Sequence, residues 1–195
     1  MFYKKYQNSR NSAWEILIDQ KVGELPVKVS KLCKNMGIDV ILLPTEQLGG
    51  DGKCIAIDGR PTILVNSDCS IQRQRFTAAH ELGHIVLGHI GKYTLVNREP
   101  APEDNPVEHE ANVFASRLLA PAIVLRDLNV QCAEDIVRVC NISYQAAVFR
   151  MERLTLLYER EKQFLKERGY SCFGLHPLER KLREQFEEYI KQNRL

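Results

Sequence analysis

The 195-residue chain is 44% hydrophobic and 27% charged, and its 27 Lys+Arg against 25 Asp+Glu leave a formal net charge of +2. An ordinary apolar fraction at this length excludes wholesale disorder and a fibrous repeat, and the near-cancelled charge excludes the global basic field of a typical nucleic-acid binder. The six cysteines, at 33, 54, 69, 132, 140 and 172, form no Cys-x-x-Cys pair, and the opening residues 1–10 are polar, so the expectation is of reduced, mostly buried thiols in a cytoplasmic protein. The longest apolar stretch, 118–125, is interrupted by Pro121 and falls far short of the ~18 residues of a membrane span.

In chain order, Trp14, Leu17, Ile18 and Val22 repeat at helical spacing, and Pro26 precedes a second short helix through Val29, Leu32, Cys33 and Met36 that Gly37 ends. Residues 38–43 read as a strand. After the turn at Gly49-Gly50-Asp51-Gly52, the runs 54–57 and 62–65 flank Asp58-Gly59-Arg60-Pro61 as a hairpin. A long helix is expected from Ile71 to about Gly91, a polar connection over 97–106, and another helix from about Val107 to Leu119. A short helix follows Pro121, then helices over 134–140 and 144–157 with a break at Asn141-Ile142-Ser143. A charged helical tail interrupted around 169–177 completes the chain, its Leu182, Phe186 and Ile190 forming one apolar face. The pattern is α+β: a small antiparallel sheet packed on helices, with a helical C-terminal region. The expected division is a domain at 1–157, including a helix-turn-helix-like hairpin at 134–157, and a tail at 158–195.

Three of the five histidines fall within ten residues, His80, His84 and His89, and His80-Glu81-Leu82-Gly83-His84 is an H-E-x-x-H pattern. Such a pattern is expected by chance only roughly 0.01 times in a chain of this length and composition. Residues four apart share a helix face, so both imidazoles can reach one Zn²⁺ ion, while Glu81 stands beside the metal as a general base. A catalytic zinc usually has a third protein ligand. The next helix offers Glu108 and Glu110, about 200° apart around it. Glu108 is favoured, with Asn112 one turn on and placed to hydrogen-bond a ligand, and Glu110 stays open as the alternative. A third histidine of the metzincin type would stand at 90, where Ile90 is found. His89 therefore reads as a helix cap, His109 as pointing elsewhere and His176 as incidental.

The segment from Arg75 to His84, together with Glu108-His109-Glu110-Ala111-Asn112-Val113-Phe114-Ala115 and Leu118-Leu119-Ala120-Pro121, resembles the ImmA/IrrE family of metallopeptidases, more loosely from Trp14 to Leu157. Ala120 stands where Met is frequent, and the tail from Glu159 is not covered. The resemblance implies a zincin-like fold and a zinc-dependent, gluzincin-like endopeptidase of phage, mobile-element or stress-response systems. The implied partner is a protein substrate, a repressor-type transcription factor. Zinc at His80, His84 and Glu108 would lower the pKa of a water toward about 7, and Glu81 would take its proton and return it to the leaving amine. Tyr93, Arg98 and Tyr144 are candidates for stabilising the oxyanion. The hairpin strands either shield the active helix or offer an edge to an extended substrate.

The competing class is a DNA-binding or scaffold protein that keeps a zinc site. In the hairpin at 134–157, Ser143 can cap a second helix that carries Arg150 and Arg153 toward phosphates. With Glu152 between them, packing of the hairpin on the core is the favoured reading.

Overall fold

A computed structural model describes residues 6–89 and 105–195. The fold is α+β, as the pattern predicts. The elements are α1 (Gln7–Asp19), α2 (Val29–Asn35), β1 (Asp39–Leu43), α3 (Thr45–Leu48), β2 (Gly52–Ile57), β3 (Arg60–Asn66), α4 (Ile71–Val86) and α5 (Pro106–Leu119). They continue as α6 (Ala122–Asp127), α7 (Ala133–Cys140), α8 (Tyr144–Arg168), α9 (Pro177–Gln185) and α10 (Glu187–Asn193). The chain divides into two compact units, Met1–Ala13 with Lys28–Leu118, and Trp14–Val27 with Leu119–Leu195.

The first unit holds a three-stranded sheet in the order β1-β3-β2. The sheet is mixed rather than antiparallel throughout: β2 and β3 form the expected hairpin, but β1 pairs with β3 in parallel, Asp39 opposite Thr62 through Leu43 opposite Asn66. Burial explains the arrangement. The run Thr62–Asn66 of β3 is buried residue after residue, which requires cover on both faces and a neighbour on each side, whereas β1 and β2 keep exposed positions suited to edges. The hairpin turns on two residues, Asp58 and Gly59, both at positive φ, so the twist of the turn matches that of the strands. The short helix α3 was not expected; four residues of helix leave little periodicity to read.

Helix α4 begins at Ser70, whose hydroxyl accepts from the Arg73 amide at 3.3 Å. It stops earlier than the expected Gly91. Gly88, at φ +69°, terminates it in a Schellman turn, the Gly88 amide donating to the Ile85 carbonyl and the His89 amide to the His84 carbonyl at 2.9 Å. Residues 77 to 84 are buried on every side of the helix. Two glycines accommodate its close neighbours within the unit. A Cβ at Gly83 would lie 3.0 Å from Phe114 Cδ1 and 3.3 Å from Ala111 Cα of α5. A Cβ at Gly52 of β2 would lie 2.8 Å from the Leu64 carbonyl oxygen and within overlap distance of Thr77 Cγ2.

The second unit is helical. Helix α7 ends at Asn141 in the left-handed conformation, and α8 starts at Ser143, whose hydroxyl accepts from the Ala146 amide. Helix α8 runs unbroken through position 157. Arg150, a phosphate contact only under the competing reading, is 2% exposed, and its Nε donates to the Ala120 carbonyl at 2.8 Å. Leu182 and Phe186 of the tail are fully buried, and the Gln185 amide donates to the Leu17 and Val22 carbonyls. His176 is structural rather than incidental: its Nδ1 caps α9 by accepting from the Leu178 amide, and its ring meets Trp14 edge-on. None of the six cysteines, all among the described residues, is in a disulfide, but only Cys33 and Cys140 are buried; Cys132 is exposed. Among the described residues no helix is long and apolar enough to cross a membrane.

Candidate metal centre

Inside the first unit, α4 and α5 bring His80, His84 and Glu108 together with one ligand atom from each. Nε2 of His80 lies 3.0 Å from Nε2 of His84 and 3.1 Å from Oε2 of Glu108, and Nε2 of His84 lies 3.5 Å from Oε1 of Glu108. The helical period accounts for the first pair, one turn apart on one face. The second helix accounts for the carboxylate: Glu108 shares a face with Ala111 and Ala115, both fully buried, so the face that turns inward carries it. Glu110, on another face, reaches His89 instead, with Oε2 3.1 Å from its Nε2. Glu81 is 1% exposed, on the buried stretch of α4, and the Cβ position at Gly52 is 3.8 Å from its Cγ.

A model of the IrrE N-terminal-like domain, the Peptidase M78 family, matches residues 33–152. The chain belongs to the ImmA/IrrE family of metallopeptidases. No curated protein matches it. Zinc is therefore the ion against which the donor set is to be tested. In a tetrahedral site with bonds of about 2.0–2.1 Å, neighbouring ligand atoms stand about 3.3–3.4 Å apart. In this ImmA/IrrE-family centre the two Nε2 atoms, 3.0 Å apart, and Oε2 of Glu108, 3.1 Å from that of His80, stand a few tenths of an ångström inside that edge, while the 3.5 Å from His84 runs to the other carboxylate oxygen, Oε1. The chemistry of the donors agrees. Nδ1 of His80 lies 2.9 Å from Oδ1 of Asn112, which can only accept, so the proton of His80 sits on Nδ1 and Nε2 presents a lone pair to the cluster. Lone pairs and a carboxylate facing one another at 3 Å suit a cation among them.

Burial pushes His89 below the ordinary imidazole value, with Glu110 opposing it.

His89 is the residue sequence reasoning missed. It is 9% exposed, with Nδ1 3.1 Å from Nδ1 of His84. The signal lay in Gly88: a glycine two residues past the last helical position marks the turn that throws the next side chain back onto its own helix. His109 lies near the Tyr6 ring, 6.4 Å between centroids, and is no member of the donor group. Of the oxyanion candidates, Tyr93 and Arg98 lie outside the described residues, and the Tyr144 hydroxyl donates to Glu134 in the second unit.

Proposed function

We propose that this chain is a zinc-dependent endopeptidase that acts in the cytoplasm on one particular protein, a repressor-type transcription factor of the kind carried by phages and mobile elements. The observation that carries the reading is the convergence of two imidazole nitrogens and one carboxylate, with contacts of 3.0–3.5 Å among them, as a zinc ion would require of its ligands. His80, His84 and Glu108 would hold the ion, with Asn112 fixing the His80 ring. When bound, zinc supplies Lewis acidity that polarises the scissile carbonyl and acidifies water. Glu81 is the proton carrier: its carboxylate accepts the proton of the attacking water and delivers it to the leaving amine nitrogen, both within a buried stretch of helix that keeps bulk solvent away. The start of β2 passes beside Glu81, so a peptide drawn along that strand would meet the base.

The test is co-expression with the repressor-type transcription factor encoded beside the gene, comparing wild type with Glu81→Gln. Loss of the partner with wild type, and its persistence with Glu81→Gln at unchanged zinc content, is the expected result. In vitro the substitution should lower cleavage by about 10²–10⁴-fold. Cleavage by Glu81→Gln at the wild-type rate defeats the role given to Glu81. An intact partner in both strains points to the regulatory class, which salt-dependent duplex binding would then support. Burial of Arg150 weighs against that class, since it removes one of two arginines available to phosphates.

A further inference from the structure

His84 is held from behind by side chains to which the proton transfer of Glu81 gives no part. Its Nε2 faces His80 and Glu108; its Nδ1 lies 3.1 Å from Nδ1 of His89, and Nε2 of His89 lies 3.1 Å from Oε2 of Glu110. The proton positions along this row follow one from another. A carboxylate accepts and does not donate, so Nε2 of His89 carries a hydrogen. A neutral imidazole protonated at Nε2 has a bare Nδ1, so the nitrogen facing it, Nδ1 of His84, is the donor. That leaves Nε2 of His84 with its lone pair directed into the donor cluster. In the opposite tautomer of His84, two bare nitrogens would oppose each other at 3.1 Å and an N–H would point at the metal position.

We propose that Glu110 and His89 are positioning residues of the metal centre, a carboxylate–imidazole relay that fixes the tautomer and ring plane of His84 so that Nε2 is ready to bind the ion. The proposal rests on the reading that His80, His84 and Glu108 hold zinc. Three further observations support it. The Schellman turn at Gly88 fixes His89 relative to His84 through the backbone, His89 amide to His84 carbonyl. The two rings meet at an interplanar angle of 69° with centroids 5.1 Å apart, so a tilt of one is limited by the other. The first ligand is treated alike, since Asn112 does for His80 what His89 does for His84. The two arms differ in charge. Asn112 offers a neutral amide, whereas the His89 arm ends on a carboxylate.

The experiment uses the full-length chain and zinc alone, with the dissociation constant read by competition with a chromophoric chelator. His89→Leu, which replaces the ring by an apolar side chain of similar bulk, should weaken zinc binding by roughly 10–100-fold while the melting temperature of the metal-free protein holds. His89→Asn, whose amide oxygen can accept from Nδ1 of His84, should recover most of that loss. Glu110→Gln, at a partly exposed position that tolerates change, should weaken binding in the same direction and keeps the test open if His89→Leu does not fold. Histidine ¹⁵N spectra of the metal-free protein should show His84 with its proton on Nδ1 in wild type and a tautomer mixture in His89→Leu. Wild-type affinity in both His89→Leu and Glu110→Gln, with the His84 tautomer unchanged, overturns the relay and leaves the metal centre standing. Failure of the wild type to bind zinc more tightly than His84→Ala overturns the metal centre on which the relay depends.

Discussion

Between α4 and α5 of the first unit, imidazoles and carboxylates gather; around α6 of the second, Asp127 takes ion pairs from Arg126 at 2.7 Å and Arg183 at 2.6 Å, and Glu161 takes one from Arg126 at 2.6 Å. Both clusters set charged side chains among apolar ones, and they are built differently. In the arginine cluster every carboxylate meets a cation and every contact pairs a donor with an acceptor. In the histidine cluster Nε2 of His80, Nε2 of His84 and the oxygens of Glu108 are all electron-pair donors, converging at 3.0–3.5 Å. A polar cluster that balances its own charges holds a fold together; one that sets like donors against each other is complete only with a ligand.

The comparison can be broken most severely at the donors. His84→Ala should abolish stoichiometric zinc binding, read by metal content after dialysis, and with it the stabilisation that zinc gives the wild type. That stabilisation is about 4 kcal/mol at a thousandfold excess over the dissociation constant, visible as a zinc-dependent rise in melting temperature. Retention of one tight zinc by the variant would show that the cluster is not the site. A smaller effect is expected where the sheet meets the active helix. Gly52→Ala sets a methyl against the Leu64 carbonyl oxygen, which cannot swing aside, and should cost about 1–3 kcal/mol in denaturant unfolding. Asp127→Ala removes the acceptor of two arginines that are themselves partly exposed and can rehydrate, so about 1 kcal/mol is the expected loss, with zinc affinity unchanged. Loss of zinc in this variant would erase the distinction between the two clusters.

An effect confined to alkaline pH concerns Cys33, whose thiol burial pushes up to about 12 from an ordinary 9.0. The unfolded chain releases this proton first, so between those values the native state binds more protons and stability falls as pH rises. Cys33→Ala should flatten that decline in alkaline unfolding curves, and at neutral pH the native thiol should resist alkylation while exposed Cys132 reacts.

The spacing of His80 and His84 is legible because four residues on a helix have one geometric meaning, and the α+β class is legible because the hairpin and the helices carry separate periods. What one helix does to another is less so. The period separates Glu108 from Glu110 by angle but does not tell which face of α5 turns toward α4; packing of Ala111 and Ala115 decides that. The parallel pairing of β1 follows from which strand must be covered on both sides, a property of the assembled sheet and not of β1 itself. Arg150 reads as a surface cation by type, yet the Ala120 carbonyl, thirty residues away, gives its Nε a buried partner.

The missing side chain at Gly83 carries a further consequence. Because Phe114 and Ala111 press against that backbone, the separation of α4 and α5 is set there, one residue from His84, and the separation of those helices is also the span across which Glu108 must reach. The size of an ion that His80, His84 and Glu108 could hold is thus a matter of helix spacing as well as of ligand type. A methyl at 83 would push the two helices apart, widen the chelate and weaken its hold on an ion that, like zinc, needs bonds of about 2.0–2.1 Å.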